Sequence, residues 1–384
     1  MISQLQISGF RCLEQFELQP DKINIFVGRN NSGKSSVLEA VTIGASSTTG
    51  YRDAIGDDIL MRLANRRNWA LEYFVRLGAD SSNILVRRGD ESSTEQVEIN
   101  LSYLVGAKSG SLSDATLTVM RSRATELAHR YPPRYLVERR QPLPERRDVD
   151  AASLATAVAQ EEAFQMDRLL EEPKLLVRFG TREDVLFQFD RQLVRSSPTI
   201  SAWPEESNIL FTGVRSENDL KQLYDRLLPT ARFATVMEQV KEGIDYLTDL
   251  RTLQDDIFVY QRALDRPIPI SLMGDGFRDV LRIAFMAALT RNGIAVFEEP
   301  ENSLHPGFLG LATDYLSRAA TKGSTQLFIS THSLEFVQYM LERAPDITKI
   351  IRMSQTDNEI SYEILTGKEA LEESKEIGTD LRGV

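Results

Sequence analysis

The sequence predicts an α/β fold: a mixed sheet with a mostly parallel core and flanking helices, interrupted by an inserted, mostly helical segment. Three observations carry that prediction. The apolar run Ile23 to Val27 ends in a glycine-rich turn and then a helical pattern, Ser35 to Ala45. The apolar run Ile294 to Phe297 and the strand pattern Gln326 to Ile329 also lead into helical patterns. Short, continuously apolar runs of this kind read as parallel strands buried on both faces. Between the α/β stretches the composition turns to Gly and Ser at 106–113, as at a boundary.

Taken in order, Gln4 to Ile7, Phe16 to Leu18 and Ile23 to Val27 read as strands, followed by the helix from Ser35. Trp69 to Leu77, Asn83 to Val86 and Gln96 to Tyr103 read as further strands of an N-terminal lobe, residues 1–110. Residues 111–205 read as the insertion, with a helix over Ala151 to Leu170 and a hairpin over Leu175 to Phe189. The C-terminal lobe, 206–384, begins with a strand at Ile209 to Thr212 and two helices within Asn218 to Leu247. Strands at Asp256 to Ala263 and Ile268 to Leu272 precede a helix from about Gly276 to Thr290. Helices then follow Pro306 and Ser333, the first with proline just inside its start.

The 384 residues, 42% hydrophobic and 26% charged, are enough for a large core. No apolar stretch approaches the roughly 18 residues that span a bilayer, so no membrane role is expected. The N-terminus lacks the pattern of a signal peptide. One cysteine, Cys12, excludes an intrachain disulfide framework and fits a reducing cytoplasm. A net charge of −11 argues against non-specific coating of nucleic acid. One local reversal stands out. Arg121, Arg123, Arg130, Arg134, Arg139, Arg140, Arg146 and Arg147 face only Glu126, Glu138 and Glu145. Such a run reads first as a solvated face or loop, and second as a nucleic-acid or partner contact.

Gly28-Arg29-Asn30-Asn31-Ser32-Gly33-Lys34-Ser35, followed by Ser36, matches G-x-x-x-x-G-K-[ST] between an apolar strand and a helix. Its glycines let the backbone turn tightly, so that successive N–H groups face phosphate oxygens. Lys34 brings a cation to the β- and γ-phosphates, and Ser35 offers a hydroxyl to Mg²⁺. The helix beginning there adds its positive end. ATP with Mg²⁺ is the expected ligand.

The strand Ile294 to Phe297 ends in Glu298-Glu299-Pro300-Glu301. Two adjacent acids at the edge of a buried strand are costly unless a cation lies between them. Glu298 is the expected metal-side acid and Glu299 the acid that polarises water. His305 and His332, two of only three histidines, also follow core elements. Doubly wound sheets bind ligands at the carboxyl ends of their strands. Lys34, Glu298, Glu299 and His332 all fall at that edge.

These residues resemble the ABC-type ATPase superfamily, in its soluble SMC/RecF/OLD branch. The resemblance covers about residues 1–105 and 206–384. Ile7-Ser8-Gly9-Phe10-Arg11 is similar to that branch's opening motif, and Ser271 to Arg278 to its degenerate signature motif. Glu299 to Pro306 resembles the Walker B and D-loop of OLD-type ATPases, and Thr331-His332-Ser333 the switch-histidine loop. The resemblance implies an ATPase in which two heads sandwich two ATP molecules. Gly274, Asp275 and Gly276 would then contact the γ-phosphate held by the other head. It also implies Glu299 as catalytic base, His332 as γ-phosphate sensor and Arg11 at the nucleotide. Glu298 stands where the family usually has Asp, Gly274 replaces the usual signature serine, and no glutamine stands out as the Q-loop residue.

OLD nucleases carry a Toprim domain after the switch loop, for which residues 334–384 leave no room. The expectation is therefore a homodimeric or higher-order motor or sensor for a separate effector, a nuclease, in prokaryotic genome defence. The alternative is a RecF-like repair clamp that binds DNA directly, favoured only by the arginine run.

Overall fold

In the computed structural model, the described residues are 1–68, 70–90, 93–105, 112, 117–118, 120–122, 124–125, 151–180, 182–189, 192–196, 209–211, 217–253, 256–356 and 359–376. Of the eight arginines in the basic run, only Arg121 lies among them. The chain divides into two compact units. One comprises Met1–Leu63, Asn83–Glu98 and Trp203–Val384, and the other Ala64–Ser82 and Ile99–Ala202.

The first unit opens with β1 (Ile2–Phe10), β2 (Leu13–Leu18) and β3 (Ile23–Val27), and then α1 (Lys34–Ser46). Helix α2 (Ile59–Arg66) begins in this unit. Strand β4 (Ser81–Asp90) pairs with β1, and β5 (Ser93–Leu104) follows it. In the second unit, residues Ile99 to Leu104 of β5 pair antiparallel with β6 (Lys174–Phe179), which comes after α3 (Ala151–Glu171). Strands β7 (Arg182–Phe189) and β8 (Gln192–Ser196) extend that pair by two more antiparallel strands.

The first unit resumes with β9 (Ile209–Phe211), α4 (Glu217–Leu227) and α5 (Arg232–Gly243). A small antiparallel sheet follows, of β10 (Leu247–Leu253), β11 (Asp256–Gln261) and β12 (Ile268–Pro269). Then come α6 (Asp275–Leu289), β13 (Ile294–Glu298), α7 (Pro306–Lys322), β14 (Gln326–Ser330) and α8 (Leu334–Arg343). The last elements are β15 (Thr348–Thr356), β16 (Glu359–Thr366) and α9 (Gly367–Glu376).

The central sheet runs β16-β15-β3-β14-β13-β9, and every pairing in it is parallel except that of β15 with β16. Its inner strands are buried along nearly their whole length, which is why they read as unbroken apolar runs. Helix α1 contacts β1 on one side and β9, β13 and β14 on the other. Every one of its residues except Ser35 is therefore buried. The approach is close: a Cβ on Gly44 would lie 2.4 Å from Val86 Cγ2.

The expected strand over Trp69 to Leu77 is instead a 3-10 turn over Leu71–Phe74 among the described residues. Leu71 and Phe74 bury their side chains three residues apart, and Leu77 is fully exposed, so the apolar spacing is helical rather than alternating. The strand expected over Ile268 to Leu272 stops at Pro269, and Ile270–Leu272 forms a 3-10 turn. Proline lacks the N–H that would continue a ladder. The two helices expected through Leu247 end at Gly243, and Leu247 opens β10.

The Gly44 contact gives a test. Gly44→Val is expected to lower unfolding free energy by about 1–3 kcal/mol, the usual cost of overpacking. Urea denaturation measures it, and an unchanged midpoint would contradict the α1 packing.

Candidate active site at the carboxyl edge of the parallel sheet

Register places the site. Glu298 at the end of β13 pairs with Ser330 of β14, and Ser330 pairs with Phe26 of β3. The loops after these three strands therefore leave the sheet side by side. They carry Gly28 to Ser35, Glu299 to His305, and Thr331 to Ser333. Lys34, Ser35, Glu298, Glu299 and His332 thus share one edge.

The phosphate loop is shaped by backbone sterics. Gly28 has φ 143°, Asn31 φ 65° and Gly33 φ 93°. A Cβ on Gly28 would lie 2.0 Å from the backbone oxygen of Met353, so β15 leaves room there only for hydrogen. Arg29, Asn30 and Asn31 are exposed, whereas Ser32, Gly33, Lys34 and Ser36 are buried. The turn between β1 and β2 backs the loop, with Cys12 Sγ 3.2 Å from Ser36 Oγ. Arg11, in that turn, binds Glu39 of α1 at 2.7 Å, so its guanidinium is tied to the helix behind the loop.

Lys34 Nζ donates to the carbonyl oxygens of Gly28 and Arg29, both at 2.8 Å. Burial pulls its pKa below the usual lysine value, while the charges of Glu299, Glu298 and Glu301 push it back up. Ser35 Oγ donates to Glu298 Oε1, so the extra methylene of Glu relative to Asp spans the gap to that hydroxyl. Glu299 adopts a left-handed backbone, φ 46°, unusual for a residue with a side chain. That twist presents its carboxylate to both neighbours: Oε2 accepts from Asn302 Nδ2 at 2.7 Å, and Oε1 lies 3.2 Å from His332 Nε2.

The residues fit Mg²⁺ with a nucleoside triphosphate. Ser35 Oγ and Glu298 Oε1, two hard oxygen donors, already touch. A buried hydroxyl, Ser32 Oγ, has no hydrogen-bond partner among the described residues. Mg²⁺ takes one or two protein oxygens together with phosphate and water. Bound there, the ion would neutralise charge on phosphate oxygens.

Gly274, Asp275 and Gly276 form the start of α6, away from these strand ends in sequence. Gly274 and Asp275 are exposed. Gly274 is the N-cap, and a Cβ there would meet nothing within 4 Å. Gly276 is confined: its Cβ would lie 2.7 Å from Ser303 O, in the loop after Glu299. Sequence reading did not single out Glu301, Asn302 or Thr331. The signal within reach was Glu301 itself, a third acid two residues beyond Glu299.

This fold and edge define a P-loop ATPase domain. Residues 23–338 match the family model described as "AAA domain, putative AbiEii toxin, Type IV TA system", and the chain belongs to that family. An uncharacterized protein of Methanocaldococcus jannaschii is 31% identical over 114 residues, which make up 29% of this chain and all of that one. Among solved structures, an SMC head bound to the C-winged helix domain of ScpA matches 96% of this chain and 99% of its own, at 13% identity and a TM-score of 0.50. That likeness concerns the fold alone. An SMC head from Pyrococcus furiosus, bound to the C-terminal domain of ScpA, covers 98% of this chain and 99% of its own at 13% identity, with a TM-score of 0.48. Among the described residues, no helix is long and apolar enough to cross a membrane.

Gly28→Ala tests the loop geometry. With a backbone oxygen in the way, the loop must shift or the chain must strain by about 1–3 kcal/mol. The expected result is a lower melting temperature together with weakened nucleotide binding in calorimetry. Wild-type values for both would contradict the contact with Met353.

Proposed function

We propose that this protein hydrolyses ATP to ADP and phosphate, that two heads close on ATP, and that closure drives or reports to a separate effector in prokaryotic genome defence. One observation carries the ATPase reading: Lys34, Ser35, Glu298, Glu299 and His332 converge where three parallel strands end. In this reading residues 28–36 cradle the phosphates through backbone N–H groups, and Lys34 meets the β- and γ-phosphates with its charge. Glu298 and Ser35 are the residues that would hold Mg²⁺. Glu299 takes the proton of the attacking water as its oxygen bonds to the γ-phosphorus and the bond to the β-phosphate oxygen breaks. His332, in contact with Glu299, lies where it can follow the γ-phosphate. Arg11 serves the nucleotide indirectly, through Glu39 and α1.

Closure of two heads is supported by the exposure of Gly274 and Asp275, which leaves the start of α6 open to a second copy. The defence role is supported by the family's description, which names a toxin of a type IV toxin–antitoxin system. The nuclease effector rests on the likeness of Glu299 to Pro306 to OLD-type ATPases. Residues 111–205 would be the inserted subdomain through which effector or nucleic acid is engaged.

Glu299→Gln keeps the shape of the base and removes its proton affinity. Turnover is expected to fall by about 10²–10⁴-fold, the usual worth of a general base, with ATP still bound. Lys34→Ala, in contrast, is expected to lose ATP binding itself. Calorimetry and phosphate release separate the two, and trapping by Glu298→Gln instead would reverse the assigned roles.

A composite site predicts complementation. A Cβ at Gly274 would meet no atom within 4 Å, and Asp is a sound N-cap, so the folding of Gly274→Asp is expected to be unimpaired. Lys34→Ala and Gly274→Asp chains are each expected to be inactive alone. Mixed in equal amounts, they rebuild one intact site per mixed dimer, about a quarter of the wild-type sites in a symmetric pair. No recovery on mixing would argue for a site complete within one chain.

A further inference from the structure

The loops after β13 and β14 are joined more firmly than the chemistry of base and cation requires. The sheet ladder between these strands ends at Glu298 and Ser330, with one last backbone bond from Glu299 N to Ser330 O at 2.9 Å. Beyond it the two segments have no ladder to hold them. Glu301 supplies the next connection. Its Oε1 accepts from Thr331 Oγ1 at 2.7 Å and from the backbone N of His332 at 2.8 Å. Its Oε2 is buried and has no hydrogen-bond partner among the described residues. A single oxygen that accepts from both a hydroxyl and a backbone N–H holds the two donors to one point.

These contacts govern His332 from both ends. Its imidazole rests on Glu299, and its backbone N–H is fixed by Glu301, two residues further along the same loop. The distance between the histidine and Glu299 is therefore set by a short stretch of chain closed at each end. Rotating the Thr331–His332 peptide away from Glu301 would swing the imidazole off Glu299.

We infer that Glu301 is a positioning residue for hydrolysis, a bracket that fixes the switch loop so that His332 meets Glu299. It acts through the geometry of Oε1 rather than through its charge. The inference rests on the reading of Glu299 as the base. A residue that merely supported the fold would move stability and nucleotide affinity together. A bracket between base and sensor moves kcat alone, and an uncharged residue that still presents an oxygen at the same place restores it.

The test uses the purified full chain and steady-state phosphate release over a range of ATP concentrations. Glu301→Ala is expected to lower kcat by about 10–100-fold, the typical effect of losing an outer positioning partner. KM for ATP is expected to stay within about 2-fold of wild type, the pattern of an interaction that matters only in the transition state. Glu301→Gln keeps an oxygen acceptor without the charge and is expected to recover most of the lost kcat. Glu301→Gln as slow as Glu301→Ala would overturn the bracket in favour of a charge effect on Lys34. So would a rise in KM matching the fall in kcat, or a wild-type kcat in Glu301→Ala. If Glu301→Ala does not fold, Thr331→Val removes one of the two donors and is expected to lower kcat at unchanged KM. A wild-type kcat there would equally overturn the proposal. Glu299→Gln in the same assay distinguishes the two levels of failure. If it turns over like wild type, the base reading falls and this inference with it. If it is inactive while Glu301→Ala is unimpaired, only the bracket is wrong.

Discussion

The parallel ladder β3-β14-β13 is the constraint on which the site depends. Because Phe26, Ser330 and Glu298 lie in one row, three loops far apart in sequence emerge together. A slip of one residue in either pairing would reverse the faces of that strand and carry its terminal polar group out of reach of the others. The burial of these strands on both faces makes such a slip costly, so core packing is also what aligns the groups of the candidate site. Thr331 N adds a bond to Phe26 O at 3.1 Å, which ties the switch loop to the strand of the phosphate loop.

Charge balance at that edge follows from the same geometry. Lys34 is a buried ammonium with its hydrogen bonds directed to two carbonyl oxygens. Three carboxylates, Glu298, Glu299 and Glu301, work against the burial that lowers its pKa. The arriving phosphates enter a field in which one lysine already lies among three carboxylates.

Much of this was legible in the sequence because the information is local. Gly28 to Ser35, Glu298 and Glu299, and His332 each follow an apolar strand directly, so spacing and chemistry identify them. Residues whose meaning depends on distant partners were not legible. Glu301 finds Thr331 and His332 across 30 and 31 residues. Arg11 finds Glu39 across 28, and Gly28 needs its glycine because of Met353, which lies on the opposite lobe of the sequence. Strand β10 reads as the end of a helix and the 3-10 turn at Leu71 as a strand, because apolar residues in short runs look alike whether they alternate or recur every third position.

The contact between Gly276 and Ser303 O has a consequence for the proposed closure of two heads. At 2.7 Å from an added Cβ, the first turn of α6 and the loop beyond Glu299 and Glu301 meet backbone to backbone, without an intervening flexible side chain. A load applied at Gly274 by a second head would reach the base through a stiff joint rather than a compliant one. Such a joint transmits small displacements without damping, and its gain cannot be adjusted by exchanging side chains along the path. Tuning of the response would then be left to residues that set how tightly each end is gripped, among them Glu301 on the catalytic side and Arg278, paired with Asp275, on the exposed side.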